Sequence, residues 1–155
     1  MGSRYCWKKG KALSSYCFLT LAERKSRLYI AKHIPDRKDE TVTNAIIELL
    51  KEYPKDLVKT ITCDRGKEFA GWKEIEDSLN CDIYFADPYC AWQKGTNENL
   101  NGLLREFYPK GRNLERVSEK TLKKNLALIN ARPKKVLHFQ KPIDLFNEYL
   151  KKCCT

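Results

Sequence analysis

The sequence lacks any Cys-x-x-Cys pair, although it contains seven cysteines, an odd number. Structural zinc sites usually carry such pairs, and a disulfide framework needs an even number of partners. We therefore expect neither, and interpret the cysteines as reduced thiols. Cys63 and Cys81 lie in strand-like runs, where they are expected to be small buried apolar residues.

Long hydrophobic runs are also missing. No apolar stretch approaches the roughly 18 residues that span a bilayer, and the N-terminus lacks the apolar stretch of a secretory signal. We therefore expect no membrane partner and a cytoplasmic location. There is no internal repeat, low-complexity tract or obvious linker, and 155 residues with 42% hydrophobic content suit one domain over 1–155.

Acidic residues are outnumbered by basic ones, and residues 1–22 contain none. Thirty Lys and Arg against 20 Asp and Glu give a net charge of +10. Such an excess favours attraction to nucleic acid or to another anionic surface, and it carries no information about the fold.

Along the sequence, the spacing of apolar residues alternates between a pattern typical of strands and one typical of helices. Segments 13–22 and 27–34 predict an antiparallel hairpin, joined by the charged turn 23–26. A helical stripe from Val42 to Tyr53 follows, with Asp39 as its expected cap. Segments 57–63 and 81–86 predict strands, and 70–79, 96–108, 118–130 and 142–152 predict helices. This order indicates an α/β fold, a mixed sheet with helices on its faces.

Two carboxylates stand at informative places. Asp64 follows a predicted strand, and Glu98 lies near the start of the helix 96–108, with 33 residues between them. On a helical wheel Glu98 projects away from the apolar stripe, on the side of Asn101 and Arg105. Two such carboxylates can share a Mg²⁺ ion, since hard cations prefer oxygen ligands. In an arbitrary sequence a solvated surface glutamate would be the commoner interpretation.

Longer motifs surround both carboxylates. They are 20–27 (TLAERKSR), 63–70 (CDRGKEFA), 85–89 (FADPY), 92–99 (WQKGTNEN), 101–105 (NGLLR), 130–133 (NARP) and 142–146 (PIDLF). In this order and spacing the sequence resembles the catalytic, integrase-like domain of the IS-thirty family of bacterial insertion-sequence transposases, in the retroviral-integrase superfamily. The resemblance extends over essentially the whole chain.

The resemblance implies a ribonuclease-H-like fold and a triad of two aspartates and one glutamate that holds two Mg²⁺ or Mn²⁺ ions. Asp64 matches the second aspartate and Glu98 the glutamate. The implied function is that of a DNA transposase core, with phosphodiester hydrolysis and strand transfer between transposon ends and target DNA. A homo-oligomer on DNA and association with the bacterial nucleoid are implied too.

The first aspartate of the triad has no counterpart in this sequence. The family carries it in an Asp-Thr-Val run on the first strand, and residues 1–22 offer no acid. We therefore expect a chain shortened at its N-terminus, without the first strand and the DNA-recognition region. An alternative function follows: a catalytically inactive remnant that binds only DNA or a full-length transposase.

Basic and polar residues near the expected site and in two basic clusters are candidates for DNA contact, with simple surface roles as the open alternative. These candidates are Arg65, Lys94, Asn97, Arg105, Arg24, Lys25 and Arg132. A third function, a structure-selective nuclease on the same fold, is disfavoured because the segment 95–99 is typical of the transposases.

Overall fold

Five short strands form one mixed sheet in this computed structural model, which describes residues 2–3, 15–54, 57–63, 65–87 and 95–153. The strands are β1 (Gly2–Ser3), β2 (Cys17–Ala22), β3 (Tyr29–Ile34), β4 (Thr60–Cys63) and β5 (Asp82–Phe85). Their order across the sheet is β3-β2-β1-β4-β5. The hairpin β2–β3 is antiparallel, whereas β4 runs parallel to both β1 and β5.

Five helices cover the two faces of the sheet. They are α1 (Asp39–Lys51), α2 (Trp72–Leu79), α3 (Gly95–Phe107), α4 (Glu119–Asn130) and α5 (Pro142–Cys153), with 3₁₀ turns at Lys67–Phe69 and Lys135–Leu137. Among the described residues, no helix has both the length and the apolar character needed to cross a bilayer. The helices predicted from periodicity are all present, with ends that differ by a few residues.

Side chains of β2 contribute alternately to two hydrophobic cores, one on each face of the sheet. Cys17, Leu19 and Leu21 pack with α1, α2 and α5 on one face of the sheet. Phe18 and Ala22 pack with α3 and α4 on the other face. Successive side chains of a strand point to opposite faces, so one six-residue strand contributes to both cores.

The β2–β3 turn is organised by Glu23. Its carboxylate accepts hydrogen bonds from the amides of Lys25 and Ser26, at 2.9 and 2.6 Å, and from the Ser26 hydroxyl. Burial alone would raise the pKa of Glu23, but these hydrogen bonds together lower it below its usual range. The charged segment 23–26 therefore forms the predicted turn. The Glu23 carboxylate is a hydrogen-bond acceptor within that turn.

Two local expectations can be compared with the structure directly. Cys63 and Cys81 are buried, as predicted. The expectation that Asp39 caps α1 is wrong, because the N-cap position is Lys38 and makes no side-chain cap bond. Asp36 lies nearer to that role, since its carboxylate accepts a hydrogen bond from the Lys38 amide at 3.1 Å.

Candidate active site

The first two turns of α3 are tied to the hairpin by side-chain hydrogen bonds. At the start of the helix, the Arg27 guanidinium donates to the Thr96 hydroxyl. One turn later, the Asn101 side-chain oxygen accepts from the Thr20 hydroxyl at 3.1 Å and from the Tyr29 hydroxyl at 2.6 Å. These bonds fix both the depth and the rotation of the helix on the sheet.

Two asparagines near Glu98 on α3 are buried. Asn97 is 2% exposed and Asn101 is 4% exposed. The wheel placed Asn101 on the exposed side with Glu98, which is wrong, because its amide is an internal hydrogen-bond acceptor. For Asn97, such burial favours packing over the predicted DNA contact, since a phosphate would reach it only after a local opening.

Glu98 itself is exposed in the first turn of α3. A negative side chain is favoured there by the unpaired amides and positive dipole end of the helix. Because Asn97 and Asn101 face inward, the rotation of α3 leaves the Glu98 carboxylate at the surface. It can therefore receive a ligand without unpacking the helix.

Asp64 and Lys94 lie outside the described residues, so their predicted roles stay predictions. Cys63, the residue before Asp64, ends β4 and is fully buried, and its carbonyl accepts a hydrogen bond from the Ala86 amide at 2.8 Å. Arg65, the residue after Asp64, is exposed. The chain thus leaves the sheet at the carboxyl end of β4, which is where ligands bind in parallel sheets.

One strand of the sheet, β1, separates β4 from the part of the sheet on which α3 packs. Helix α3 packs against β1 and β2, and Gly2 of β1 pairs with Thr62 of β4. Neighbouring strands are about 4.8 Å apart, so only one strand separates the surface beneath α3 from β4. The helix that carries Glu98 therefore lies near β4, the strand that ends one residue before Asp64 in the sequence.

An open cavity of about 360 Å³ is formed mainly by the segment that follows Asp64 in the sequence. It is lined by Arg65, Gly66, Lys67, Phe69, Ala70, Trp72 and Phe85. The rings of Trp72 and Phe85 meet edge to face, with centroids 6.2 Å apart. The lining thus combines the cationic side chains of Arg65 and Lys67 with the two aromatic rings.

Within the part of the chain that the structure describes, no three His, Cys, Asp or Glu side chains cluster closely enough to hold a metal. Glu98 is the one predicted metal ligand in that part. Its chemistry suits a hard divalent cation, because an exposed carboxylate offers two oxygens and can still accept water-bridged contacts.

The remaining DNA-contact candidates occupy different surroundings. Arg24 and Lys25 are exposed on the hairpin turn, with the Lys25 ammonium 4.3 Å above the Tyr149 ring. Arg132 is exposed and forms an ion pair with Glu106, with nitrogen and oxygen 2.9 Å apart. Arg105 is half-buried on α3.

The sequence did not predict the side-chain hydrogen bonds that join the hairpin to the neighbouring helices. Asn130, at the end of α4, accepts from the Tyr29 amide at 2.9 Å and donates to the Tyr29 carbonyl at 2.8 Å. One amide side chain thus pairs with the edge strand β3 as a neighbouring strand would. Asn130 begins the 130–133 motif, which was the one available signal, but its partner lies 101 residues away.

Comparison with known proteins identifies relatives over most of the chain. The probable transposase for insertion-like sequence element IS1161 of Streptococcus salivarius is 40% identical over 137 residues, 88% of this chain and 38% of the relative. The transposase for element IS30A of Escherichia coli K12 is 37% identical over 126 residues, 81% of this chain. The transposase for IS4351 of Bacteroides fragilis is 37% identical over 133 residues.

The chain is homologous to the IS-thirty (IS30) transposases. The resemblance deduced from the motifs is therefore confirmed. This IS-thirty homologue spans between 33% and 40% of the length of these three relatives. No family model matches it.

The solved structure of the catalytic core domain of BIV integrase shares the fold. The two superpose with a TM-score of 0.71, covering 99% of this chain and 97% of the other, at 17% sequence identity. At that identity the comparison concerns the fold alone. It confirms the predicted ribonuclease-H-like, α/β architecture of this IS-thirty homologue.

Proposed function

We propose that this chain is the catalytic core of an integrase-type DNA transposase, which hydrolyses phosphodiesters and transfers strands with the help of divalent metal. The proposal rests on the hydrogen bonds that hold the start of α3 on the hairpin. Asn101 is buried and doubly hydrogen-bonded, while Glu98, one turn earlier, is exposed. In a homologue of transposases, this arrangement supports Glu98 as the glutamate of the site.

In this proposal Asp64 and Glu98 hold Mg²⁺ or Mn²⁺ between the end of β4 and the start of α3. When bound, such an ion polarises a phosphoryl oxygen and lowers the pKa of the attacking water. The protein contributes position: buried hydrogen bonds through Asn101 and Thr96 keep the Glu98 backbone in place. Strand transfer needs no covalent protein intermediate, since the attacking group is water or a DNA 3′-hydroxyl.

The DNA is held by positive charge in this proposal. Arg65 is exposed beside Asp64, Lys94 immediately precedes α3 in sequence, and the whole chain carries +10. Phosphate contacts of this kind supply affinity that does not depend on base sequence. Transposon ends and target DNA are the proposed partners, with a homo-oligomer on DNA in the bacterial cytoplasm and at the nucleoid.

A second candidate function is favoured by the absence of any Asp or Glu in residues 1–22. With two carboxylates instead of three, the metal clamp is incomplete, and the chain alone would bind DNA or a full-length transposase without cleaving. The main proposal therefore requires a third carboxylate, which an added strand can supply experimentally.

Plasmid cleavage distinguishes the two candidates. The chain as given and a version extended upstream by an Asp-Thr-Val strand are incubated with supercoiled plasmid and Mg²⁺ or Mn²⁺. We expect little or no cleavage by the first, metal-dependent cleavage by the second, and loss of that cleavage in Glu98→Gln. Glu119→Gln is the matched control, because Glu119 is also an exposed glutamate in the first turn of a helix.

Two outcomes would count against the main proposal. An extended chain that binds DNA yet never cleaves it would favour the inactive remnant. Cleavage that survives Glu98→Gln would place the chemistry elsewhere.

A further inference from the structure

Two basic segments that lie far apart in the sequence meet at one corner of the fold. The hairpin turn carries Arg27, and the segment after α4 carries Arg132 and Lys134. The paired hydrogen bonds between Asn130 and the Tyr29 backbone join these segments, because Tyr29 is two residues from Arg27 and Asn130 is two residues from Arg132. The fold thus converts two separate basic clusters of the sequence into one.

Arg27 is held in an uncommon conformation that directs it toward α3. Its φ of 61° lies in the left-handed region, which costs a non-glycine residue free energy. Its guanidinium donates to Thr96, two residues before Glu98. Conformations of this kind persist where the surroundings enforce them, and they are concentrated at functional sites.

Lys134 has a rigid backbone and a partly buried side chain. Its amide donates to the Gln140 carbonyl at 3.1 Å, and its carbonyl accepts from the Leu137 and Phe139 amides at 2.9 and 3.0 Å. His138 and Phe139, in the same loop, both have positive φ. Burial, with added repulsion from Arg132 and Arg27, lowers the pKa of Lys134 below its usual range. Lys134 therefore lies within electrostatic reach of both Arg27 and Arg132.

Nearby carboxylates neutralise this corner in part. Glu106 forms an ion pair with Arg132, and Glu23 is engaged by the amides and hydroxyl of its own turn. Within the described ranges, neither Arg27 nor Lys134 has an ion-pair partner. Like charges gathered by the fold at one place are stabilised by an anion that bridges them.

We propose that Arg27, Arg132 and Lys134 form one phosphate-binding cluster, which follows α3 from Thr96, the partner of Arg27, to Glu106, the partner of Arg132, and guides the DNA backbone toward Glu98. The inference rests on the proposed function and deepens it by locating the DNA. The two guanidinium groups suit phosphate because their planar array of donors can bind two oxygens at once. Lys134 adds a point charge.

Salt-dependent binding of the purified chain to a fluorescent 30-base-pair duplex of arbitrary sequence tests the cluster. Each lost phosphate contact should reduce the slope of log K against log salt by about 0.9, and the affinity at 0.1 M salt by roughly eightfold. We expect both changes in Arg27→Gln and in Lys134→Gln, and about twice the slope change in the double variant. Lys51→Gln is the matched control, because Lys51 is exposed on α1, on the opposite face of the sheet.

A gain-of-function variant separates phosphate binding from a purely structural role. Glu106→Gln removes the ion-pair partner of Arg132 and one negative charge from the corner, so we expect tighter DNA binding, by several-fold. Arg27→Lys keeps the charge and should retain most of the salt slope, even if loss of the Thr96 bond lowers the melting temperature.

The possible failures are distinguishable. If the unmodified chain binds DNA with a steep salt slope that Arg27→Gln and Lys134→Gln leave unchanged, the cluster inference is wrong and the proposed function stands. If the unmodified chain does not bind duplex DNA, both fail. If the substitutions change the oligomeric state in light scattering but leave the salt slope intact, the corner is a protein interface and the phosphate proposal is overturned.

Discussion

The side-chain oxygen of Asn101 lies 2.6 Å from the hydroxyl of Tyr29, inside the core between α3 and the sheet. The same oxygen accepts the Thr20 hydroxyl, so one atom of α3 connects it to both strands of the hairpin. Glu98 is three residues earlier on this helix. The buried hydrogen bonds of Asn101 thus fix the position of Glu98, the proposed metal ligand.

Replacing Asn101 by Leu should destabilise the protein by about 2–4 kcal/mol. The substitution leaves two buried hydroxyl groups without their acceptor, and each unsatisfied buried group costs about 1–3 kcal/mol. Urea unfolding followed by circular dichroism measures the change. A loss below about 0.5 kcal/mol would show that the hydroxyls find other partners and that Asn101 does not position α3.

The neighbouring residue Gly102 provides the matched control on the same helix. It is exposed, and a Cβ at this position would meet nothing within 4 Å. Gly102→Ala should therefore stabilise the protein by roughly 0.5–1 kcal/mol, through helix propensity alone.

Asn130→Ala should destabilise the protein by about 2–4 kcal/mol, because the Tyr29 amide and carbonyl both lose their partner inside the protein. Hydrogen exchange adds a local test: the Tyr29 amide should lose protection more than the amides of β4. Leu128→Ala, an exposed position on the same helix, should change stability by less than about 0.5 kcal/mol. Equal effects of the two substitutions would contradict the special role of Asn130.

Glu23→Gln should cost about 1–2 kcal/mol at neutral pH, since charge-assisted hydrogen bonds in the turn become neutral ones. The pKa of Glu23 is lowered in the folded chain, so its contribution is complete above the pKa of the unfolded chain. The contribution disappears as the pH falls through the lower folded pKa. Urea unfolding of both proteins at pH 7 and pH 3 should give a clear difference at pH 7 and little at pH 3. A difference independent of pH would assign the effect to packing.

Much of the architecture was predictable, because strand and helix periods are local properties of the sequence. The hairpin, its charged turn and the apolar stripe of α1 all follow from the spacing of apolar residues. The cap of α1 was misassigned since Asp36, outside the helix, competes with Asp39 for the same amide region. Such competition is decided by backbone geometry that residue spacing does not contain.

The candidate site was harder to predict from the sequence than the fold. Asn101 reads as a surface residue on a helical wheel, and only its contacts with Thr20 and Tyr29 explain why it is buried. The meeting of Arg27 with Arg132 and Lys134 depends on a pairing between residues 101 positions apart. Glu98 itself was singled out by family resemblance, since spacing alone does not distinguish one carboxylate among 20 acids.

Metal affinity should be weak in the chain as given, because ligand charge sets the affinity for hard ions. Calorimetric titration with Mn²⁺ should reveal at most a weak site that both Asp64→Asn and Glu98→Gln weaken further, by roughly tenfold or more. Glu119→Gln should leave it unchanged. Tight binding that is insensitive to Asp64→Asn would mean that the ion is bound elsewhere.

The most direct test of the shared metal site is anomalous diffraction from crystals soaked in Mn²⁺. We predict an anomalous peak between the end of β4 and the start of α3, within coordination distance of carboxylate oxygens from both Asp64 and Glu98. Their carboxyl groups should then lie within several ångströms of each other. An ion bound at a different place, or a structure with Glu98 on the opposite face of the sheet from Asp64, would contradict the assignment.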